Sequence, residues 1–299
     1  METARVNDIS ENSKWRKIRL ICNNIKDFWF RFRKNRPAVV GLFIMIFFTL
    51  MAIFGKSVAP YDAWAIRQET FVKPCAKFLM GTDDLGRDIY SGLLYGARVS
   101  IVVGLLCAIS ATGLGIVIGG IAGYSGGRLD SLLMRLTDFF LVIPRFFLVL
   151  VLGALFGNSI GNIIIVISVL MWPPTARLVR SRFLSLREQE FVEAARSLGL
   201  KDFWIIFGEI LPNAVSPAIV NGSLVIARAI LIEAGLSFLG LGDPNLISWG
   251  TQLCNAQRIL RQAWWTAFFP GMAIFLTVLG SNLIGDGVND ALNPKLKEK

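Results

Sequence analysis

Residues able to do chemistry are scarce in this chain, and their arrangement excludes more than it suggests. Histidine is absent from all 299 residues, which removes imidazole acid–base work and imidazole metal ligation. The only Gly-Lys-Ser is Gly55-Lys56-Ser57, and a phosphate-binding loop needs a further glycine at position 50, where Leu50 stands. ATP hydrolysis by this chain is therefore not expected. Cys22, Cys75, Cys107 and Cys254 lack metal-ligand spacing, and no serine or cysteine lies in a recognisable nucleophile setting. Asp83, Asp84 and Asp88 are close in sequence, but their spacing matches no calcium loop. No catalytic residue, resident cofactor or metal site is expected. Cys75 and Cys254 fall on the same predicted side of the membrane, and whether they form a disulfide is left open.

Four charged residues stand out because their neighbours are apolar: Asp138, Arg145, Arg228 and Glu233. A charge at the centre of a membrane helix costs about 2.5–3.5 kcal/mol on insertion scales, so each calls for a partner, a water-filled cavity or a second subunit. On one continuous helix Asp138 and Arg145 would share a face two turns apart. Arg228 and Glu233 would lie about 140° apart around theirs and would not pair with each other. Pore lining and buried structural pairing both remain open. Gly115, Gly119 and Gly123 form a ridge at four-residue spacing, widened by Gly113 and Gly120, that lets helices approach closely. That ridge serves packing within the chain or contact with a second subunit.

The elements that must position these residues are apolar helices. Apolar residues make up 54% of the chain and charged residues 17%, where a soluble domain carries about 25% charge. Spans are predicted at 38–54, 99–123, 136–156, 160–177, 214–241 and 268–285, each near the ~20 residues that cross a bilayer. The fold class is thus an all-α integral membrane protein of about six transmembrane helices. An even number puts both termini on one side. Residues 1–37 carry ten Lys or Arg against four acids. With that tail inside, inner segments hold twenty-one basic residues and outer segments eight, the asymmetry of the positive-inside rule. The net charge of +10 then reads as topology and not as nucleic-acid binding. Both termini are expected in the cytoplasm, and the first span is not expected to be a cleaved signal. Residues 14–36, with Trp15, Phe28, Trp29, Phe30 and Phe32 among basic residues, predict an interfacial helix.

One polar stretch, 177–212, lies between apolar segments on the same side as the termini. Phe191, Ala194, Ala195 and Leu198 recur at helical spacing. Gly199 then allows a left-handed end, and Asp202 could cap a second helix with Phe203, Ile206, Phe207 and Ile210 as its stripe, stopped by Pro212. The bland reading is an amphipathic hairpin sealing the membrane surface.

Glu193-Ala194-Ala195, then Gly199, then Leu211-Pro212 resembles the "EAA" loop of permease subunits of binding-protein-dependent ABC importers. The family often has isoleucine where this chain has Glu209, with Ile210 beside it, a departure that bears on the register of the second helix. The segment 81–100, GTDDLGRDIYSGLLYGARVS, is similar to a signature of the dipeptide, oligopeptide and nickel branch, in its second ("C"-type) permease. So are 123–144, EAGLSFLGLG at 233–242, Ser248-Trp249-Gly250 and 269–297. The resemblance covers about 37–297 and implies a type I ABC importer permease fold in the cell membrane. It divides the chain into a tail (1–37), a first helix and external loop (38–98), a transmembrane domain (99–290) containing the coupling loop 177–212, and a C-terminal tail (291–299).

The resemblance also implies function and partners. This chain would form half of a translocation pathway for di- or oligopeptides, with nickel or oligosaccharides as alternative cargo. Its partners would be a homologous permease, one or two ABC ATPases carrying ATP and Mg, an extracytoplasmic solute-binding protein and membrane lipid. Glu193, Ala194, Ala195, Arg196, Gly199 and Asp202 would couple it to the ATPase. A secondary transporter is the distant alternative. It would need internal repeats or paired midplane acids, and only Asp138 and Glu233 are candidates.

Overall fold

A computed structural model of the protein describes residues 26–292, so the expectations for 1–25 and for 293–299 lie outside the described residues. Those described are helical throughout their regular structure. Helix α1 covers 26–34, and α2 is Arg36–Val58. The longest, α3, is Ile89–Ser125. Then come α4 (Gly127–Val142), α5 (Arg145–Phe156), α6 (Ile160–Met171) and α7 (Pro173–Arg187). Two turns of α8 (Glu190–Ser197) lead to α9 (Asp202–Trp204), a π-helical stretch Ile205–Ile210 and α10 (Leu211–Ala214). The chain ends with α11 (Ser216–Phe238), α12 (Trp249–Ala256) and α13 (Trp265–Leu292).

Five helical paths are long and apolar enough to cross a membrane, and a sixth arises if α4 and α5 are counted as one span. The predicted third span, 136–156, is not one rod: α4 and α5 meet at 88°. The cause is local. Ile143 precedes Pro144 and is extended (φ −77°, ψ 130°), a conformation favoured because the proline ring crowds the helical region for the residue before it. The predicted fourth span runs on to Arg187. Trp172 stays helical and Pro173 and Pro174 occupy the first turn of α7, where no backbone donor is required.

α3 is the central post, packed against α2, α6, α7 and α11. Its start is capped by Asp88, whose Oδ2 accepts from Ser91 N–H at 2.8 Å. Its glycines make the close approach to α7. A Cβ on Gly115 would lie 2.5 Å from Thr175 Cβ, one on Gly119 2.4 Å from the Ala176 carbonyl, and one on Gly123 2.5 Å from Phe183 Cβ. The ridge therefore faces this chain's own α7. A second crossing joins α2 and α13, where a Cβ on Gly41 would lie 2.8 Å from the Gly280 carbonyl. Asn35 Nδ2 donates to Asp290 Oδ2 at 2.8 Å, tying the start of α2 to the end of α13. Nearby, Phe32 is buried with Ala38 and Ala291. Trp249, fully buried, pins α12 to α3 by donating from Nε1 to the Leu93 carbonyl at 3.1 Å. Cys75 and Cys254 are free thiols.

Candidate functional site

The helix–glycine–helix segment stands at the end of α7. Residue type fixes its turn: Gly199 has φ +77°, a left-handed value that suits glycine. Gly199 N–H donates to the Arg196 carbonyl at 2.9 Å and Leu200 N–H to the Ala195 carbonyl at 3.2 Å. These two bonds close the end of α8 as a Schellman motif.

Which side faces in differs from the sequence expectation. Val192 and Ala195 are the buried pair of α8, packed with Val179, Phe183, Ile205, Ile210, Ala214 and Ala218. Glu193, Ala194, Arg196 and Phe191 lie on the exposed side, and Leu198 is 83% exposed. In the second limb Phe203 (62% exposed), Trp204 (64%) and Phe207 face out, while Ile205 and Ile210 are buried. The reason is the π-helical stretch Ile205–Ile210, whose extra residue per turn shifts the stripe, so that Ile205 takes an inner place assigned to Phe203. Nor does Pro212 stop the limb. It sits in the first turn of α10, and the path continues through Ala214. The outcome is an exposed apolar crown of Phe191, Leu198, Phe203, Trp204 and Phe207 with Glu193 and Arg196 beside it, the kind of patch that marks a contact surface.

Asp202 is not a cap; Lys201 holds that position without a side-chain bond. Instead Asp202 Oδ1 accepts from the Tyr124 hydroxyl at 2.5 Å. Tyr124 also lies 6.0 Å from the Arg196 guanidinium, and its carbonyl accepts from Arg187 Nη1 at 3.1 Å. The last turn of α3 thus holds both limbs. Sequence reading missed Tyr124; its only signal was a lone phenol at the end of an apolar run.

The intramembrane charges are arranged otherwise than expected. Asp138 pairs with Arg177 of α7 at 2.5 Å, while Arg145 begins a separate helix beyond the bend. The shared face proposed for Asp138 and Arg145 therefore does not exist. Glu233 is buried within the chain (1% exposed), its Oε1 accepting from Ser237 Oγ at 2.8 Å. Arg228 is exposed. A further pair was not foreseen: Arg180 grips Asp130 through Nε (2.5 Å) and Nη2 (2.6 Å). Asp130 is largely buried, so removing the guanidinium strands a carboxylate. Arg180→Ala is expected to cost about 2–3 kcal/mol, seen as a fall in the thermal midpoint of the detergent-solubilised protein. Arg180→Lys should recover part of it, the forked geometry being lost.

Five or six apolar helical crossings joined by close backbone packing are the build of a multi-pass membrane protein. The chain belongs to the family of binding-protein-dependent transport system inner membrane components, which matches residues 115–298. Residues 23–73 match the N-terminal transmembrane domain of oligopeptide transport permease C. The chain is 40% identical to the dipeptide transport system permease protein DppC of Bacillus subtilis over 277 residues, covering 91% of this chain and 86% of that one. With DppC of Escherichia coli it shares 41% over 282 residues, 92% and 94% of the two chains. With the oligopeptide transport system permease protein OppC of Bacillus subtilis it shares 40% over 275 residues, 91% and 90%.

Proposed function

We propose that this chain is one of two unlike permease subunits of an ATP-driven importer of di- and oligopeptides, and that 177–212 is its coupling loop. The observation that carries the coupling role is the exposed apolar crown on a hairpin locked by the Gly199 turn and by Tyr124. A stable water-facing hairpin would bury Phe203, Trp204 and Leu198; leaving them bare costs solubility unless a partner's cleft covers them. An ABC ATPase is that partner, with both termini and the loop on its cytoplasmic side in keeping with the positive-inside charge distribution. ATP and Mg are then held by the ATPases, and cargo is delivered by an extracytoplasmic solute-binding protein. The names of the relatives support peptide as cargo, ahead of nickel or oligosaccharide.

Co-expression with the products of neighbouring genes, gentle purification and identification of the co-eluting chains tests this reading. A homologous permease and one or two ATPases in stoichiometric amounts, with ATP-dependent dipeptide uptake in proteoliposomes supplied with the binding protein, is the expected result. Uptake by this chain alone without ATP would replace it with a secondary transporter.

A further inference from the structure

The basic, aromatic stretch ahead of the first crossing is a sequence motif that the coupling role leaves unused. Its described part, α1, is seated on the bundle by one face. Phe32 is 4% exposed and packs with Ala38 and Ala291, with Phe28, one turn earlier, beside it. The fit is close, since a Cβ on Gly287 would lie 3.0 Å from Phe32 Cε2. Asn35 is extended (φ −81°, ψ 96°) and caps α2, its Oδ1 accepting from Ala38 N–H at 3.1 Å. α1 and α2 are thus separate helices joined at a capped break. The other face of α1 is bare. Trp29 is 47% exposed and Phe30 63%, and Arg33 and Lys34, each one turn further on, are exposed as well. Two aromatic–cation rows result: Trp29 with Arg33, and Phe30 with Lys34, whose Nζ lies 4.6 Å from the Phe30 ring. Lys26, Arg31, Arg33, Lys34 and Arg36 stand against one acid, Asp27, in the same stretch. None of the five cations forms an ion pair with another described residue. Asp290, which reaches the break from α13, is taken up by Asn35.

Such a face suits neither water nor hydrocarbon alone. Bare Trp and Phe side chains are poorly placed in water, and the charges cannot enter hydrocarbon. Both are satisfied at one depth, the level of the lipid headgroups, where rings reach the acyl boundary and long basic side chains meet phosphate. α2 fixes that depth independently. It starts at Arg36 and is apolar enough to cross the membrane, with Val40 and Phe43 exposed in its first two turns. α1 therefore stands at the edge of a hydrocarbon-facing surface. Its excess of positive charge selects among lipids, because an anionic headgroup gains from each nearby Lys or Arg and a zwitterionic one carries no net charge to attract.

We propose that the bare face of α1 binds an anionic phospholipid, with Arg33 and Lys34 on its phosphate and Trp29 and Phe30 against the start of its acyl chains. The site depends neither on the cargo nor on which leaflet α1 faces. The test titrates the full-length chain in detergent with phosphatidylglycerol and with phosphatidylcholine of the same acyl chains, and reads bound lipid by native mass spectrometry. Three double variants accompany the wild type. Arg33→Gln with Lys34→Gln removes two exposed charges. Arg33→Lys with Lys34→Arg keeps both. Arg128→Gln with Arg135→Gln removes two exposed charges from α4 and controls for net charge. An unchanged thermal midpoint in each shows that the bundle is intact. Wild type is expected to bind its first phosphatidylglycerol about tenfold more tightly than phosphatidylcholine. The first variant should lose about tenfold in affinity for phosphatidylglycerol alone, while the swap and the α4 control keep the wild-type preference. Equal binding of the two lipids by wild type, or the same loss in the α1 and α4 variants, would overturn the site. Displacement of the lipid by an equal concentration of glycerol 3-phosphate, which has the charge and no acyl chain, would overturn the lipid as occupant and leave a site for soluble anions.

Discussion

A Gly199→Val chain is expected to insert and to assemble with its partners, yet to support less than a tenth of wild-type uptake. The argument is conformational and not steric. A Cβ at Gly199 would meet nothing within 4 Å, but the residue sits at φ +77°, where a β-branched side chain costs about 1–3 kcal/mol. The strain is relieved by opening the two bonds that end α8. Leu198 and Phe191 on one limb then lose their fixed relation to Phe203 and Trp204 on the other, and the crown no longer presents one surface. The bundle, whose seams lie elsewhere, is left intact. Gly199→Asn, which tolerates the left-handed region, should retain most activity. Uptake and ATPase rate measured on the same proteoliposomes check this: wild-type uptake by the valine variant would end the coupling proposal. Position 194 is the sharper probe of contact. Ala194→Asp puts a charge on the exposed side, while Ala195→Asp buries one among Val192, Ile205 and Phe183 and disrupts the hairpin itself.

Gly119→Val is expected to remove most of the folded protein. Its Cβ would fall 2.4 Å from the Ala176 carbonyl and 2.9 Å from Val179 Cβ, so α3 and α7 must separate along their whole contact. Lipid is as apolar as the side chains it would replace there, so close backbone packing carries this association, and a loss of about 3 kcal/mol or more is anticipated. Gly113→Val is the matched control, on the same helix and with the same change in intrinsic propensity, but with nothing within 4 Å of the new Cβ. The monodisperse fraction after detergent extraction should collapse for the first variant and hold for the second. Equal yields would mean that the seam is not tight.

Helix existence was legible in the sequence because each crossing is a run of apolar residues, and hydropathy is insensitive to what lies next to it. The break at Pro144 was legible as a proline but not as an 88° corner, since membrane helices also absorb proline as a mild kink. The Gly199 turn was legible because only backbone freedom decides it. The inner face of the hairpin was not: two turns of helix can be rotated by their packing, and the π-helical stretch after Trp204 shifts the stripe by an amount that no periodicity count contains. Asp138–Arg177 and Asp130–Arg180 were invisible for a different reason. Their partners lie on another helix, and only the seating of α4 on α7 brings them together.

One dimension of α3 has a mechanical corollary. Its 37 residues make an unbroken rod about 55 Å long, with Asp88 at one tip and Tyr124 at the other. Tyr124 is bonded to Asp202 and Arg187, and Asp88 to Ser91. One helix thus bridges the hairpin and the 59–88 segment, so a shift of the whole shaft would be felt at both of its ends.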